Sequence, residues 1–560
     1  MKIDPYVNVD AGTMAPKEHG ETFVLDDGGE CDLDLGNYER FLDVALTKRS
    51  NLTTGKILKH VINRERRGAY KGEKVQMVPH LTDAVQDWIV EVAKQPVDAS
   101  NRVPDICVIE LGGTVGDIES MPFIEALRQL KMRGGEDNFC SVFLSMVVVQ
   151  AGSKEQKTKP TQHGVKELRS LGLAPDIVVC RSNDALFAET KKKLSLFCQV
   201  PASNVVSNYN VPNANFYRIP CVLQEAGVAN MLISKLKLVW KRPVRMKQWT
   251  AIADRFDAAT EDVHIAVVSK YYDGDEEGIE DAYMSVIKAL EHASLAVERK
   301  LNIDWVYAEH LAPEADAETE PAKYQTEQEN CKTAMTMLEQ AAGILVPGGF
   351  GLRAVEGKIV AAKYAREHNK PYLGICLGFQ CMAIEFARTF CGLEDAHSTE
   401  FKPETSNPIV IKMPEGDASR MGGTMRLGKR ITIFQSACLS KQLYGNQETV
   451  SERHRHRYEV NPEYVDRLED AGLEFVGQNQ DETGKRMEIA ELKGHANADG
   501  TGHPFMMGVQ YHPEFQSRPG RPSPPFLGLL LASTGQLAQW RTDPAPFKLQ
   551  DPWANLRASA

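Results

Sequence analysis

A chain of 560 residues exceeds what one hydrophobic core can serve, because cores stop growing near ~250–300 residues, so at least two domains are expected. With 42% hydrophobic and 25% charged residues it has the make-up of a soluble globular protein, which excludes a disordered chain. A net charge of -11 argues against a nucleic-acid-binding protein, and no window supplies the ~20 apolar residues of a membrane span. The 11 cysteines lack paired CxxC spacing, so neither a disulfide framework nor a zinc site is expected. A reducing cytoplasm fits that usage, and MKIDPYVNVD has no signal-peptide pattern.

Along the first half, short apolar runs alternate with helical patterns. Ile106–Glu110, Ser145–Val149 and Asp176–Cys180 read as buried parallel strands, with Val165, Leu168 and Leu171 on the crossover helix between the last two. The apolar pattern lapses near 241–262, which reads as a linker. Val263–Val268 then opens a second α/β unit, followed by a helix with Tyr283, Val286, Ile287, Leu290 and Ala293 on one face. The fold class is α/β with two doubly wound parallel-sheet domains, at 1–240 and 263–545, and a tail at 546–560. Leu311–Ala322 and His495–Pro504 read as surface insertions.

Tyr372-Leu-Gly-Ile-Cys376-Leu-Gly-Phe-Gln380 reads as a strand that delivers a cysteine into a tight turn before a helix at Cys381–Arg388. Gly374 and Gly378 permit the turn, and the helix N-terminus favours a thiolate. Far downstream, Tyr511-His512-Pro-Glu514 offers a base and a carboxylate to orient it. Ile344–Gly351 ends a strand in glycines whose N–H groups could face an oxyanion, together with that of Leu377. Cys381 reads as helix packing.

The PGGFG, GICLGFQ and YHPEF segments resemble the class I glutamine amidotransferases. The resemblance implies Cys376 as nucleophile, His512 as base and Glu514 as its orienter. It implies Gly349 and Leu377 as oxyanion donors, and Gln380, Glu400 and Arg457 as holders of the glutamine head group. The basic run Arg453–Arg457 then reads as a carboxylate clamp, not a nucleic-acid patch.

In the first half, Glu110 closes an apolar strand where open α/β sheets bind ligands, and with Asp34 it could hold Mg²⁺. Lys157, Lys159 and Gln162 lie just ahead of a helix, which suits a phosphorylated ligand. KIDPY, DLDLGNYERF, GGTVGDIES and KTKPTQH resemble the synthetase domain of the CTP synthase family, and the likeness spans nearly the whole chain. The resemblance implies ATP-dependent amination of UTP to CTP with ammonia from glutamine. It implies Asp34 and Glu110 as Mg²⁺ ligands, Lys2 as a phosphate contact, and Lys157, Lys159 and Gln162 at the UTP site. Asp117 and Glu119 fall in the pocket where CTP inhibits, and His19 on the ammonia passage. GTP activation near Arg353–Glu356, a homotetramer and filaments are further implications.

Family members open with an apolar strand, a glycine-rich phosphate loop and a helix, whereas here Lys2-Ile-Asp4-Pro-Tyr directly follows Met1. The expectation is a first domain without those elements and with impaired UTP amination. The alternatives are a form that keeps only glutaminase activity, or a non-catalytic assembly subunit. Ala354 also replaces the glycine usual in the GTP-responsive loop.

Overall fold

The structure is a computed structural model that describes all residues except 99, 151, 153, 240–245, 272–277, 414–424, 482–483, 495–501 and 554–560. Parts of the expected linker, of the His495–Pro504 insertion and of the tail therefore lie outside the described residues. The chain forms two compact units, one of residues 1–10, 49–257 and 552–560, the other of residues 11–48 and 258–551.

In the first unit, strand Lys2–Asp4 runs parallel to Asn51–Thr53 on one side and Glu110–Leu111 on the other. Ile3, Leu52, Ile57, Val85, Ile89 and Phe123 form the core beside it. Thr53 stops the strand and starts helix Thr54–Arg66, its extended backbone letting the hydroxyl accept from the Lys56 N–H at 3.0 Å. The expected strand at Ile106–Glu110 shrinks to Glu110–Leu111. The register pairs Lys2 with Glu110 and Ile3 with Leu111, and Ile106 and Val108 are exposed. A second parallel sheet places Ile177–Ser182 between Val142–Met146 and Val205–Tyr209. Helix Lys159–Ser170 covers it and buries Val165 and Leu168. Where the apolar pattern lapses, residues 247–258 form a helix after all, because Trp249, Ile252 and Ala253 share one buried face at helical spacing.

Among the described residues, the second unit is built on a nine-stranded sheet. Its parallel half runs in the order Lys300–Tyr307, Asp262–Ser269, Gly343–Val346, Tyr372–Ile375 and Met506–Val509. Successive residues feed opposite faces: Ile265 and Val267 join one apolar cluster, Ala266 and Val268 the other. The purely parallel expectation fails for the other half, where Gly484–Leu492, Leu473–Asp481, Arg426–Phe434 and Thr449–His456 continue the sheet antiparallel. Residues 11–48 pack in this unit. Glu39, Asp26 and Glu30 of that segment meet Arg453 and Arg455 of strand Thr449–His456.

Candidate functional site

Four strand ends of the second unit's parallel half converge on one place. Cys376 follows strand Tyr372–Ile375 and precedes helix Leu377–Phe390, with φ 52° and ψ −102°. A side chain held at positive φ costs on the order of 1–3 kcal/mol, strain that persists only where the surroundings fix the backbone. Those surroundings are glycines. A Cβ on Gly374 would lie 2.7 Å from the Gly378 carbonyl, and one on Gly378 would collide with the Val346 carbonyl. The Tyr372 hydroxyl donates to the Gly378 carbonyl at 2.9 Å and braces the elbow from below.

His512 follows strand Met506–Val509, and its Nδ1 meets Glu514 Oε1 at 2.7 Å, the carboxylate buried and the imidazole largely so. Burial alone would lower the imidazole's pKa. The Glu514 carboxylate and the Cys376 thiol outweigh it and raise the value to about 10. His512 Nε2 has no hydrogen bond of ordinary length, although the thiol lies close enough to perturb the ring. A Cβ on Gly348 would stand 2.9 Å from His512 Cε1 and 3.5 Å from Cys376 Cβ. The glycine turn, the thiol and the imidazole therefore share one small space. The Cys376 thiol also points at the Arg455 carbonyl, 3.9 Å away.

Gly349 lies in the turn after strand Gly343–Val346. Leu377 opens a helix, so its N–H has no acceptor within that helix. Gln380 is buried, its amide donating to the Tyr458 carbonyl at 2.9 Å and to Gln510 at 3.1 Å. Burial raises the Glu400 carboxyl to about 7, against the pull of Lys270 and Arg457. Cys381 is fully buried, and burial pushes its thiol up to about 12, which agrees with packing.

The clamp reading of the basic run narrows to Arg457. Arg453 and Arg455 face the 11–48 segment as buried ion pairs, while burial holds His454 and His456 well below the ordinary histidine range. Sequence reasoning missed Lys270 and Tyr271. Buried Lys270 donates to the Gly351 carbonyl and lies 5.2 Å over the Phe401 ring, and the Tyr271 hydroxyl accepts from the Phe350 N–H at 3.2 Å. A Lys-Tyr pair directly after an apolar strand, at the sheet's C-terminal edge, was the available signal.

In the first unit, Lys2 Nζ sits 3.3 Å from Glu110 and 3.6 Å from Asp4, so two carboxylates converge on one cation. Lys157 pairs with Glu155 at 2.7 Å, Lys159 opens helix Lys159–Ser170, and buried Gln162 donates to Thr158 Oγ1 at 2.9 Å. Asp117 and Glu119 are exposed in the loop after Glu110–Leu111. In the second unit, exposed His19 ends helix Pro16–His19, and Asp34 opens helix Asp34–Leu42. Among the described residues no three His, Cys, Asp or Glu side chains cluster as a metal site, and no helix is long and apolar enough to cross a membrane.

Residues 279–532 match the family model described as glutamine amidotransferase class-I, and residues 1–238 match that described as CTP synthase N-terminus. An amidotransferase unit thus follows a synthetase unit in one chain. Human CTP synthase 1 is 50% identical over 563 residues, covering 100% of this chain and 91% of that protein. Xenopus laevis CTP synthase 1-A is 53% identical over 96% of this chain and 88% of its own. Dictyostelium discoideum CTP synthase is 52% identical over 96% of this chain and 93% of its own. A solved Trypanosoma brucei CTPS glutaminase domain with bound acivicin is 34% identical and aligns with TM-score 0.41, covering 49% of this chain and 94% of that one. The chain belongs to the CTP synthase family, the glutamine-hydrolysing ligases that make CTP.

Proposed function

We propose that this chain aminates UTP to CTP with ATP, drawing ammonia from glutamine at Cys376. The observation that carries the reading is the His512–Glu514 pair beside a thiol on a strained elbow, with a glycine turn against both thiol and imidazole. The Cys376 thiolate attacks the side-chain amide carbon of glutamine. A C–S bond forms, the carbonyl electrons move onto oxygen, and the N–H groups of Gly349 and Leu377 receive that charge. As the tetrahedral adduct collapses, the C–N bond breaks and His512 gives its proton to the departing ammonia. Water, deprotonated by the same imidazole, then splits the thioester to glutamate. Gln380, Glu400 and Arg457 hold the glutamine head group.

In the synthetase half, ATP phosphorylates the uracil 4-oxygen and ammonia displaces phosphate, by way of a passage that includes His19. Lys157, Lys159 and Gln162 bind UTP, Lys2 contacts phosphate, and Asp117 and Glu119 lie where CTP inhibits. The carboxylates of Asp4 and Glu110, which converge on Lys2, are hard-oxygen ligands of the kind Mg²⁺ prefers, so Glu110 would contribute to holding the ion. Bound Mg²⁺ would neutralise charge on the transferring phosphoryl group. GTP activates near Arg353–Glu356, where Glu356 pairs with Arg388 at 2.7 Å and with His397 at 3.1 Å. The working form is a cytoplasmic homotetramer able to stack into filaments.

The test is an assay that reports ammonia release and CTP formation separately. Cys376→Ala should abolish glutamine hydrolysis while CTP still forms from added ammonia. Glutamine hydrolysis surviving in that variant refutes the nucleophile. Absence of CTP formation with either nitrogen source, in the unmodified chain, refutes the synthetase reading.

A further inference from the structure

Lys358, in helix Val355–Glu367, is 0% exposed. Among the described residues no carboxylate lies within ion-pair distance of it. Its ammonium donates instead to two carbonyls, Pro347 O at 2.7 Å and Gly348 O at 3.5 Å. Burying a cation without a counter-charge costs several kcal/mol, and a methionine would fill the same space without that cost. Burial, reinforced by the nearby Lys270 charge, lowers the amine to about 7, so a large share remains protonated at neutral pH.

Both acceptors lie in the turn that closes strand Gly343–Val346. The Pro347 carbonyl shares its peptide with the Gly348 N–H, and the Gly348 carbonyl shares its peptide with the Gly349 N–H. A trans peptide points its N–H opposite its carbonyl, so one ammonium gripping both oxygens turns both N–H groups away from the helix. Gly348 itself abuts Cys376 and His512. A carbonyl that accepts from a cation is polarised, and its peptide N–H becomes a stronger donor.

We infer that Lys358 is a positioning residue for the oxyanion hole, holding the Pro347 and Gly348 carbonyls so that the turn is fixed and the Gly349 N–H is polarised toward the developing oxyanion. This rests on the glutaminase reading above. The buried cation acts on the transition state, with no contact to glutamine in the ground state. Its loss should lower kcat and leave KM alone.

The experiment uses the full chain with Lys358→Met and Lys358→Gln. For Lys358→Met, kcat for glutamine hydrolysis should fall about ten- to a hundredfold, less than the loss of a whole oxyanion donor, with KM within about twofold. CTP formation from added ammonia should stay at the unmodified level. Alkylation of Cys376 by iodoacetamide, followed by peptide mass spectrometry, needs the thiolate but no oxyanion hole and should proceed at the unmodified rate. Lys358→Gln keeps one donor and should recover part of kcat. A Lys358→Met kcat within twofold of the unmodified chain, a rise in KM with kcat preserved, or slowed alkylation that accounts for the loss would overturn the inference. Should Lys358→Met fail to fold, Lys358→Gln carries the same comparison, and failure of both would assign the residue to stability and overturn the proposal. No ammonia release by the unmodified chain removes the glutaminase reading itself, a result distinct from any variant effect.

Discussion

Glu39 and Arg453 form a buried ion pair across 414 residues of chain, the Arg453 guanidinium donating to the two carboxylate oxygens at 2.8 and 3.2 Å. Arg518 adds a bond to Glu39 at 3.0 Å, and Arg453 also reaches Asp26 at 2.6 Å. Every member lies in the second unit. Removing one partner of such a pair strands a charge away from water, which costs about 3–5 kcal/mol. Glu39→Ala should destabilise the protein by that amount in a denaturant titration, and a change below about 1 kcal/mol would show that the network holds nothing together.

Glu514→Gln should lower the rate of glutamine hydrolysis by about 10²–10⁴ with the fold intact, because an amide neither orients nor stabilises the imidazolium as a carboxylate does. Stability should also report the change. The His512 pKa is raised in the folded protein from 6.5 to about 10. Its contribution is therefore complete below pH 6.5 and is lost as pH rises through about 10. The unmodified chain should lose stability over that window more steeply than Glu514→Gln, as thermal melting at stepped pH would reveal.

Glu400 titrates in the opposite functional sense. Burial holds its carboxyl protonated up to about pH 7, and only the ionised form can attract the ammonium of a glutamine head group. KM for glutamine should fall as pH rises from 6 to 8, as Glu400 ionises, and Glu400→Gln should flatten that dependence. A KM that stays level in the unmodified chain would remove Glu400 from substrate binding.

Ala354 precedes helix Val355–Glu367 at φ 62°, in the left-handed region that disfavours a side chain. Glycine there removes a penalty of about 1–2 kcal/mol but adds freedom to the unfolded chain, for a net gain of about 0.5–1 kcal/mol. The comparison of Ala354→Gly with the unmodified chain in denaturant decides it. A loss of stability would mean that the methyl group packs better than the backbone strain suggests.

The elbow at Cys376 was legible because its geometry is encoded within one contiguous run, where a strand, two glycines and a helix leave little choice of turn. The same holds for Val263, Ile265, Ala266, Val267 and Val268 and for the face containing Val286, Leu290 and Ala293, which are buried as their pattern indicates. The ion pairs of Glu39 and Glu30 were not legible, since a charge gives no local periodic signal of a partner hundreds of residues away. The antiparallel half of the second sheet was hidden for a related reason, because strand direction depends on which edge a strand joins. Nothing in the sequence distinguishes Lys358 from an exposed helix lysine, and only the folded chain reveals that it has no access to water.

The stretch 11–48 falls within the synthetase family match yet packs against the amidotransferase strands. Arginines 453, 455 and 518 therefore take their counter-charges from outside residues 258–551. A gene rearrangement that grafted residues 258–551 alone onto another acceptor enzyme would carry three orphaned guanidinium groups with it. Such a graft would first have to neutralise them, so residues 11–48 and 258–551 are electrostatically one piece.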